Sequence, residues 1–185
     1  MRVTPATADD IETVTDQWVA LAAGQREHGS DLLADENRQA VRDGVARSVV
    51  MGELLVARAD PVAERSAEST GDPSGPGPVI GFVDFSIDRG GLDRDDTRGV
   101  VDNLFVVPER RGEGVGSALL SAAERALGEA GATTVGLEAM AANDGARTFY
   151  RGRGYDLHRV LLTKPIDEDG SDGHGRSEGD PGGDS

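Results

Sequence analysis

The residues best suited to chemistry lie in a glycine-rich segment near the middle of the chain. Arg110 and Arg111 are followed by glycines at every second position, Gly112, Gly114 and Gly116. Glycine lets the backbone approach a ligand closely, and the apolar spacing after this segment predicts a helix. The first N–H groups of a helix have no partner within it and lie at the positive end of its dipole. The segment therefore predicts an anion site, most naturally for phosphate.

Two common phosphate-binding motifs do not fit this segment. A Walker A loop needs a lysine directly after its last glycine, and the lysine of this chain is Lys164, far from the loop. The dinucleotide fingerprint needs G-x-G-x-x-G, whereas the spacing here is G-x-G-x-G and no second βαβ half follows. A glycine-rich turn that binds no ligand remains the alternative.

The loop resembles one family closely. Residues 111–116, RGEGVG, match the [QR]-x-x-G-x-[GA] motif of the Gcn5-related N-acetyltransferases (GNAT). Residues 137–155, LEAMAANDGARTFYRGRGY, are similar to that family's strand, asparagine and A-x-x-F/L-Y-x-x-x-G-F/Y pattern. The matching segments run from about Val100 to Tyr155, and the two motifs together are more specific than either alone. By this resemblance the sequence is identified as a member of the GNAT superfamily.

The resemblance implies an acetyl-CoA site. Main-chain groups of Leu104, Phe105 and Val106 would bind the pantetheine arm between two splayed strands. Asn143 would contact the CoA arm or cap the following helix, and asparagine is a favoured cap in any case. The pyrophosphate would lie on a loop made of Arg111, Gly112, Glu113, Gly114, Val115, Gly116 and Ser117.

The same resemblance suggests which residues move protons. Tyr150 stands where the family places the proton donor to the CoA thiolate; packing in the core is its alternative role. Glu138 matches the proton acceptor of the ribosomal-protein N-terminal acetyltransferases of this superfamily, and Asp102 is its rival. A water chain or deprotonation without a protein base also stays open. In a regular strand Asp102 would share a face with Leu104 and Val106.

The implied activity is acetyl-CoA-dependent N-acetyl transfer to a primary amine of a small molecule, peptide or protein. Transfer would be direct, without an acyl-enzyme, and the absence of cysteine agrees with that. Acceptor specificity is expected in the first two helices and the strand-end loops. The competing function is a non-catalytic acyl-CoA-binding regulatory module on the same fold. The three histidines are isolated, so we expect no metal site.

The elements that would position these residues follow from the periodicity of the sequence. Their order is β-α-α-β-β-β-α-β-α-β, as in the GNAT family. The expected fold is α/β (α+β), with about four packed helices on a mixed, mostly antiparallel sheet of six to seven strands whose central strands splay apart. The predicted strands are Arg2–Thr4, Glu53–Arg58, Val79–Ile87, Val100–Val107, Thr133–Met140 and Tyr155–Lys164.

The 185 residues suit one domain, expected over residues 1–165. Residues 61–78 are rich in Pro, Gly, Ser and charge and predict a disordered insertion, and residues 166–185 predict a disordered acidic tail. No apolar run approaches ~20 residues and no signal peptide is recognisable, so a cytoplasmic protein is expected. Whether the protein forms a homodimer stays open.

The charge balance limits the partners of the protein. The net charge is −15, from 34 acidic and 19 basic residues, which argues against nucleic acid and anionic membranes. Abundant carboxylates with a single lysine are typical of a halophilic cytosolic protein. An ordinary acidic protein from a GC-rich genome is the alternative.

Overall fold

A computed structural model describes residues 1–60, 77–88 and 96–164. The predicted tail at 166–185 and all but the last two residues of the predicted insertion lie outside the described residues. The sheet has five strands in chain order: β1 (Arg2–Pro5), β2 (Leu54–Arg58), β3 (Val79–Ile87), β4 (Arg98–Val106) and β5 (Thr134–Leu137). The helices are α1 (Ile11–Gln25), α2 (Arg38–Met51), α3 (Val115–Glu129) and α4 (Asp144–Arg151).

The sheet is mixed, as predicted. Neighbouring strands from β1 to β4 are antiparallel, whereas β4 and β5 are parallel. Parallel neighbours need a crossover connection, and α3 supplies it. The prediction of about four helices is also confirmed.

The helices form a layer on each face of the sheet. On one face, Phe82 and Phe105 are buried with Val14 of α1 and Val45 of α2. On the other face, residues of β2, β3 and β4 pack against α3, whose Leu119, Leu120 and Leu127 are fully buried. None of the described helices is long and apolar enough to cross a membrane.

The predicted sixth strand, Tyr155–Lys164, is wrong. Its residues are described but adopt no strand, and the described sheet ends at β5. Leu157, Val160, Leu161 and Leu162 are 67–88% exposed. An apolar, β-branched composition favours a strand only where a neighbour supplies hydrogen bonds and a packed face, and the described part of the chain places neither against this segment.

Candidate functional site

The pairing between strands β4 and β5 ends in the middle of β4. They pair from Arg98–Thr134 to Val101–Leu137, and there β5 ends while β4 continues to Val106. The described residues contain no other strand beside this edge of β4. The main-chain edge of residues 104–106 therefore lies beyond the last paired position; the predicted splay stays a prediction. The Val106 carbonyl accepts a hydrogen bond of 3.1 Å from Arg111 Nε.

The glycine-rich loop follows β4 directly. Pro108 begins a single 3₁₀ turn, Arg111 is extended, and Gly112 and Gly114 have φ angles of +78° and +83°. Side chains are strained at such angles, which explains why glycine stands there. A Cβ at Gly114 would meet no atom within 4 Å, so this position borders open space at the start of α3. That space can receive an anion.

The start of α3 presents free N–H groups to this space. The first helical hydrogen bond runs from Ala118 N–H to the Gly114 carbonyl over 3.0 Å. The N–H groups of residues 115–117 precede it and have no acceptor within the helix. A Cβ at Gly116 would make ordinary van der Waals contacts at 3.6 Å with both the Phe149 ring and Val106 Cγ2, so this residue lies between β4 and α4. The end of the loop therefore packs between β4 and α4. Glu113 is exposed and lies 3.4 Å from Arg110.

Tyr150 lies on α4 in the apolar cluster shared with Leu104 and Leu137, the residues that flank the parting strands. Its ring contacts Phe149 and Tyr155 at centroid distances of 5.1 and 5.8 Å. Burial raises the pKa of its hydroxyl. Within the described residues, the Tyr150 hydroxyl has no hydrogen-bond partner, whereas that of Tyr155 donates to Glu124 over 2.9 Å.

Asn143 caps α4. Its Oδ1 accepts a hydrogen bond of 2.9 Å from Ala146 N–H. The capping role predicted from the sequence is therefore present, and the amide nitrogen of Asn143 is not used by the cap.

Asp102 does not lie where a regular strand would put it. Asp84 pairs with Asn103 and Phe85 with Val101, so Asp102 is an extra residue in a β-bulge of β4. It accepts a hydrogen bond of 3.0 Å from Ser86. Ser86 alternates with Phe82 and Asp84 along β3 and therefore lies on the α1–α2 face. Because Asp102 bonds to Ser86, it lies on that face too. The expectation that Asp102 shares the face of Leu104 and Val106 is wrong. Partial desolvation raises the pKa of Asp102, and the Ser86 bond opposes the rise.

Asp84 is a site residue that the sequence analysis missed. It is partly buried on β3, and desolvation raises the pKa of its carboxyl to about 6. The signal was present in the sequence, since VIGFVDFSI places one carboxylate in the middle of an apolar strand. Such a residue is rarely buried without a partner or a role.

Glu138 follows Leu137 directly and is exposed. Because Val101 and Leu137 are paired, Asp102 and Glu138 stand one residue beyond the same position on neighbouring strands. Both predicted proton acceptors therefore lie directly after the last paired residues of β4 and β5. The described residues contain no group of three or more side chains of His, Cys, Asp or Glu that could hold a metal ion.

A family comparison matches this arrangement. The profile described as "Acetyltransferase (GNAT) family" matches residues 56–155, which run from within β2 to just beyond α4. The chain belongs to the GNAT acetyltransferase family. The match includes the parting strands, the glycine-rich loop and Tyr150. A search of curated proteins finds no match to this GNAT chain.

Solved structures share the GNAT fold along nearly the whole chain. A GCN5-related N-acetyltransferase from Ralstonia eutropha JMP134 is 22% identical, with a TM-score of 0.64 over 89% of this chain and 97% of its own. AAC(6')-Iy in complex with a CoA–acetylneamine bisubstrate analogue is 19% identical, with a TM-score of 0.64 over 90% and 98%. A transcriptional regulator from Bacillus halodurans C-125 is 15% identical, with a TM-score of 0.58 over 89% and 99%. At these identities the likeness concerns the fold.

Proposed function

We propose that this GNAT protein is an acetyl-CoA-dependent N-acetyltransferase that passes the acetyl group directly to a primary amine of a small molecule or peptide. One observation carries the proposal. The unpaired edge of β4 beyond Val101 leads straight into a glycine loop at the start of α3. This continuity suits a ligand that has an amide-containing arm and a pyrophosphate, and CoA has both.

The residues present fit CoA. The open space beside Gly114 and the N–H groups of residues 115–117 suit a pyrophosphate. The guanidinium of Arg111 would add a charge-assisted contact to phosphate. The main chain of Leu104 and Phe105 would bind the pantetheine arm, and that of Val106 would join once Arg111 turns from its carbonyl to the phosphate. The Asn143 amide nitrogen would donate to the same arm.

Bound acetyl-CoA supplies a thioester: the amine nitrogen bonds to its carbonyl carbon while the carbon–sulfur bond breaks. A backbone N–H in the segment 104–106 would polarise that carbonyl. The Tyr150 hydroxyl would give its proton to the departing sulfur. Two features support this role: its hydroxyl has no partner in the described part of the chain, and its ring packs beside the parting strands.

The attacking amine must lose a proton, and we assign its acceptor to Asp102 rather than to Glu138. The bulge turns Asp102 to the α1–α2 face, and desolvation raises the pKa of its carboxyl. A more basic carboxylate accepts a proton from an ammonium group more readily. Both side chains are exposed, and Glu138 at the neighbouring strand end is the rival.

The amine would reach this point from the α1–α2 face. A groove of about 300 Å³ lies there between α1 and α2, with Asp84 among its lining residues. A second hollow of about 370 Å³ lies between Arg98, Thr134 and His158, at the opposite end of the β4–β5 pair. Its position is wrong for the thioester, so we assign the acceptor to the first groove.

The test is turnover of acetyl-CoA by purified protein with a broad panel of primary amines. Release of free CoA thiol and the mass of the N-acetylated product are measured together. Thiol release that depends on an amine, with one acetyl group gained by that amine, is the expected result. Tight CoA binding without transfer to any amine would instead favour the regulatory module.

We also propose a cytoplasmic protein adapted to high salt, since the net charge is −15 and lysine is almost absent. Carboxylates crowded on a surface repel one another, and salt screens that repulsion. The melting temperature should therefore rise steadily from 0.1 M to molar KCl. A melting temperature that is flat over this range would contradict the adaptation.

A further inference from the structure

The groove between α1 and α2 has predominantly apolar walls. Trp18, Leu32, Val41 and Val45 line it, together with small residues of α2. The polar lining side chains are Asn37 and Asp84. The Asn37 amide already donates to the Leu33 carbonyl over 2.7 Å. Asp84 is therefore the charged group that a molecule in this groove would meet.

No cation balances Asp84 within the described residues. Desolvation raises the pKa of its carboxyl, and Ser48 of α2 only partly opposes the rise, while the Phe85 N–H donates to the Glu53 carbonyl over 2.9 Å. The charged groups acting on it are Asp102 of β4 and Glu53 before β2, and both are anionic. A carboxylate that is partly desolvated and repelled by its neighbours gains more than an exposed one from a cationic ligand.

The volume and the walls of the groove together limit what can enter. Its volume of about 300 Å³ is at the lower end of the range of small-molecule pockets. A polyhydroxylated polyamine would bring many polar groups against walls that cannot hydrogen-bond to them, at a cost for each group left unpaired. An apolar body would instead gain from burial against Trp18 and Val41.

We infer that the acceptor is an amine with an apolar body, whose single ammonium group binds Asp84 and whose aromatic or aliphatic part packs against Trp18 between α1 and α2. The inference names the substrate class for the proposed acetyl transfer and rests on that function. It differs from the acetylneamine part of the analogue bound to AAC(6')-Iy, which comes from a polyamine. Asp84 holds the ammonium group, and Asp102 beside it takes the proton.

Trp18 makes the inference directly measurable. It is the one tryptophan of the chain and lines the groove, so its fluorescence reports what enters. The probes are 2-phenylethylamine, its uncharged counterpart 2-phenylethanol, and neamine. Each is titrated into the full chain at constant salt, with and without CoA, so that binding is measured apart from turnover.

We expect 2-phenylethylamine to change the Trp18 signal in a saturable way and to bind at least tenfold more tightly than 2-phenylethanol or neamine. Asp84→Asn should weaken 2-phenylethylamine binding at least tenfold and leave 2-phenylethanol unaffected. Asp43→Asn is the matched control, because Asp43 is exposed on α2 and its loss changes the net charge equally. This control should bind the amine like the wild type.

Three results would overturn the inference: neamine binding more tightly than 2-phenylethylamine, no saturable response to 2-phenylethylamine, or equal amine binding by Asp84→Asn and Asp43→Asn. These results are distinct from failure of the proposed function. A chain that acetylates neamine and not 2-phenylethylamine refutes the substrate class alone. A chain that binds 2-phenylethylamine at Asp84 but never releases CoA thiol supports the inferred pocket and refutes acetyl transfer.

Discussion

Val101 and Leu137 are the last residues that β4 and β5 place opposite each other. Both side chains lie in the apolar cluster under α3, so the pair is anchored by packing on that face. The residue that follows each of them carries a carboxylate, Asp102 on β4 and Glu138 after β5. The point where the strands part is therefore also where the proposed chemistry of acetyl transfer is concentrated.

The first prediction concerns the proton donor. Tyr150→Phe removes a hydroxyl that no described residue binds. Acetyl-CoA affinity should remain within a few-fold of wild type, while turnover should fall at least about 100-fold, the lower end of what general acid–base groups contribute. Steady-state kinetics and calorimetric binding of acetyl-CoA measure the two effects separately.

Tyr155→Phe is the matched control for this variant. Tyr155 contacts the Tyr150 ring, but its hydroxyl donates to Glu124. Its loss should lower the melting temperature and leave turnover within a few-fold of wild type. Full activity of Tyr150→Phe would contradict the proton-donor role and leave Tyr150 with a packing role alone.

The second prediction separates the two carboxylates. Asp102→Asn should lower turnover at neutral pH and recover much of it at high pH, where the amine is already neutral. A raised pKa of Asp102 means that wild-type activity sets in at a higher pH than an ordinary aspartate would allow. Rates of thiol release across the pH range provide the measurement. If Glu138→Gln shows the loss and the rescue while Asp102→Asn behaves like wild type, the base is Glu138.

The third prediction concerns stability. The folded state holds the Asp84 proton up to a pKa of about 6, whereas the unfolded chain releases it near 3.8. The folded state therefore binds more protons between these values, and the free energy of unfolding falls as pH rises through this window. Asp84→Asn removes the charge, so it should raise the free energy of unfolding at pH 7.5 by up to about 3 kcal/mol.

At pH 4.5 the gain should shrink to about a third of that value, because Asp84 is then largely protonated in the folded wild type. Denaturant titrations at constant salt and both pH values measure it. Asp43→Asn, on the exposed side of α2, should stay within about 0.5 kcal/mol of wild type at both. An Asp84→Asn variant less stable than wild type at pH 7.5 would show that the charge is compensated.

Much of the fold could be predicted from the sequence because its signals are local. The apolar runs of β2 and β3 and the helical spacing after Gly114 gave the observed elements within one or two residues. The segment 155–164 carried the same kind of signal and forms no strand. Strand formation there depends on a partner edge and a covered face, and neither is encoded within the segment.

The local geometry of the candidate site was predictable where one motif encodes it and unpredictable where several elements meet. The loop of residues 111–117 and the Asn143 cap needed only neighbouring residues. The face of Asp102 depends on a bulge, which appears only once β3 and β4 are paired. The proposed role of Asp84 depends on α2 and β4 packing around it. The sequence could therefore mark it as an unusual carboxylate in an apolar strand, but could not predict which elements surround it.

The most direct test of the account is the affinity for acetyl-CoA when the loop is blocked. Gly114 and Gly131 flank α3, at its start and just after its end, with φ angles of +83° and +93°, and a Cβ at either would meet no atom within 4 Å. Valine is strained equally at both positions, so Gly131→Val controls for lost stability. Calorimetric titration of folded protein should show acetyl-CoA binding lost in Gly114→Val and retained in Gly131→Val. Wild-type affinity in a folded Gly114→Val variant would contradict the pyrophosphate site and, with it, the proposed enzyme.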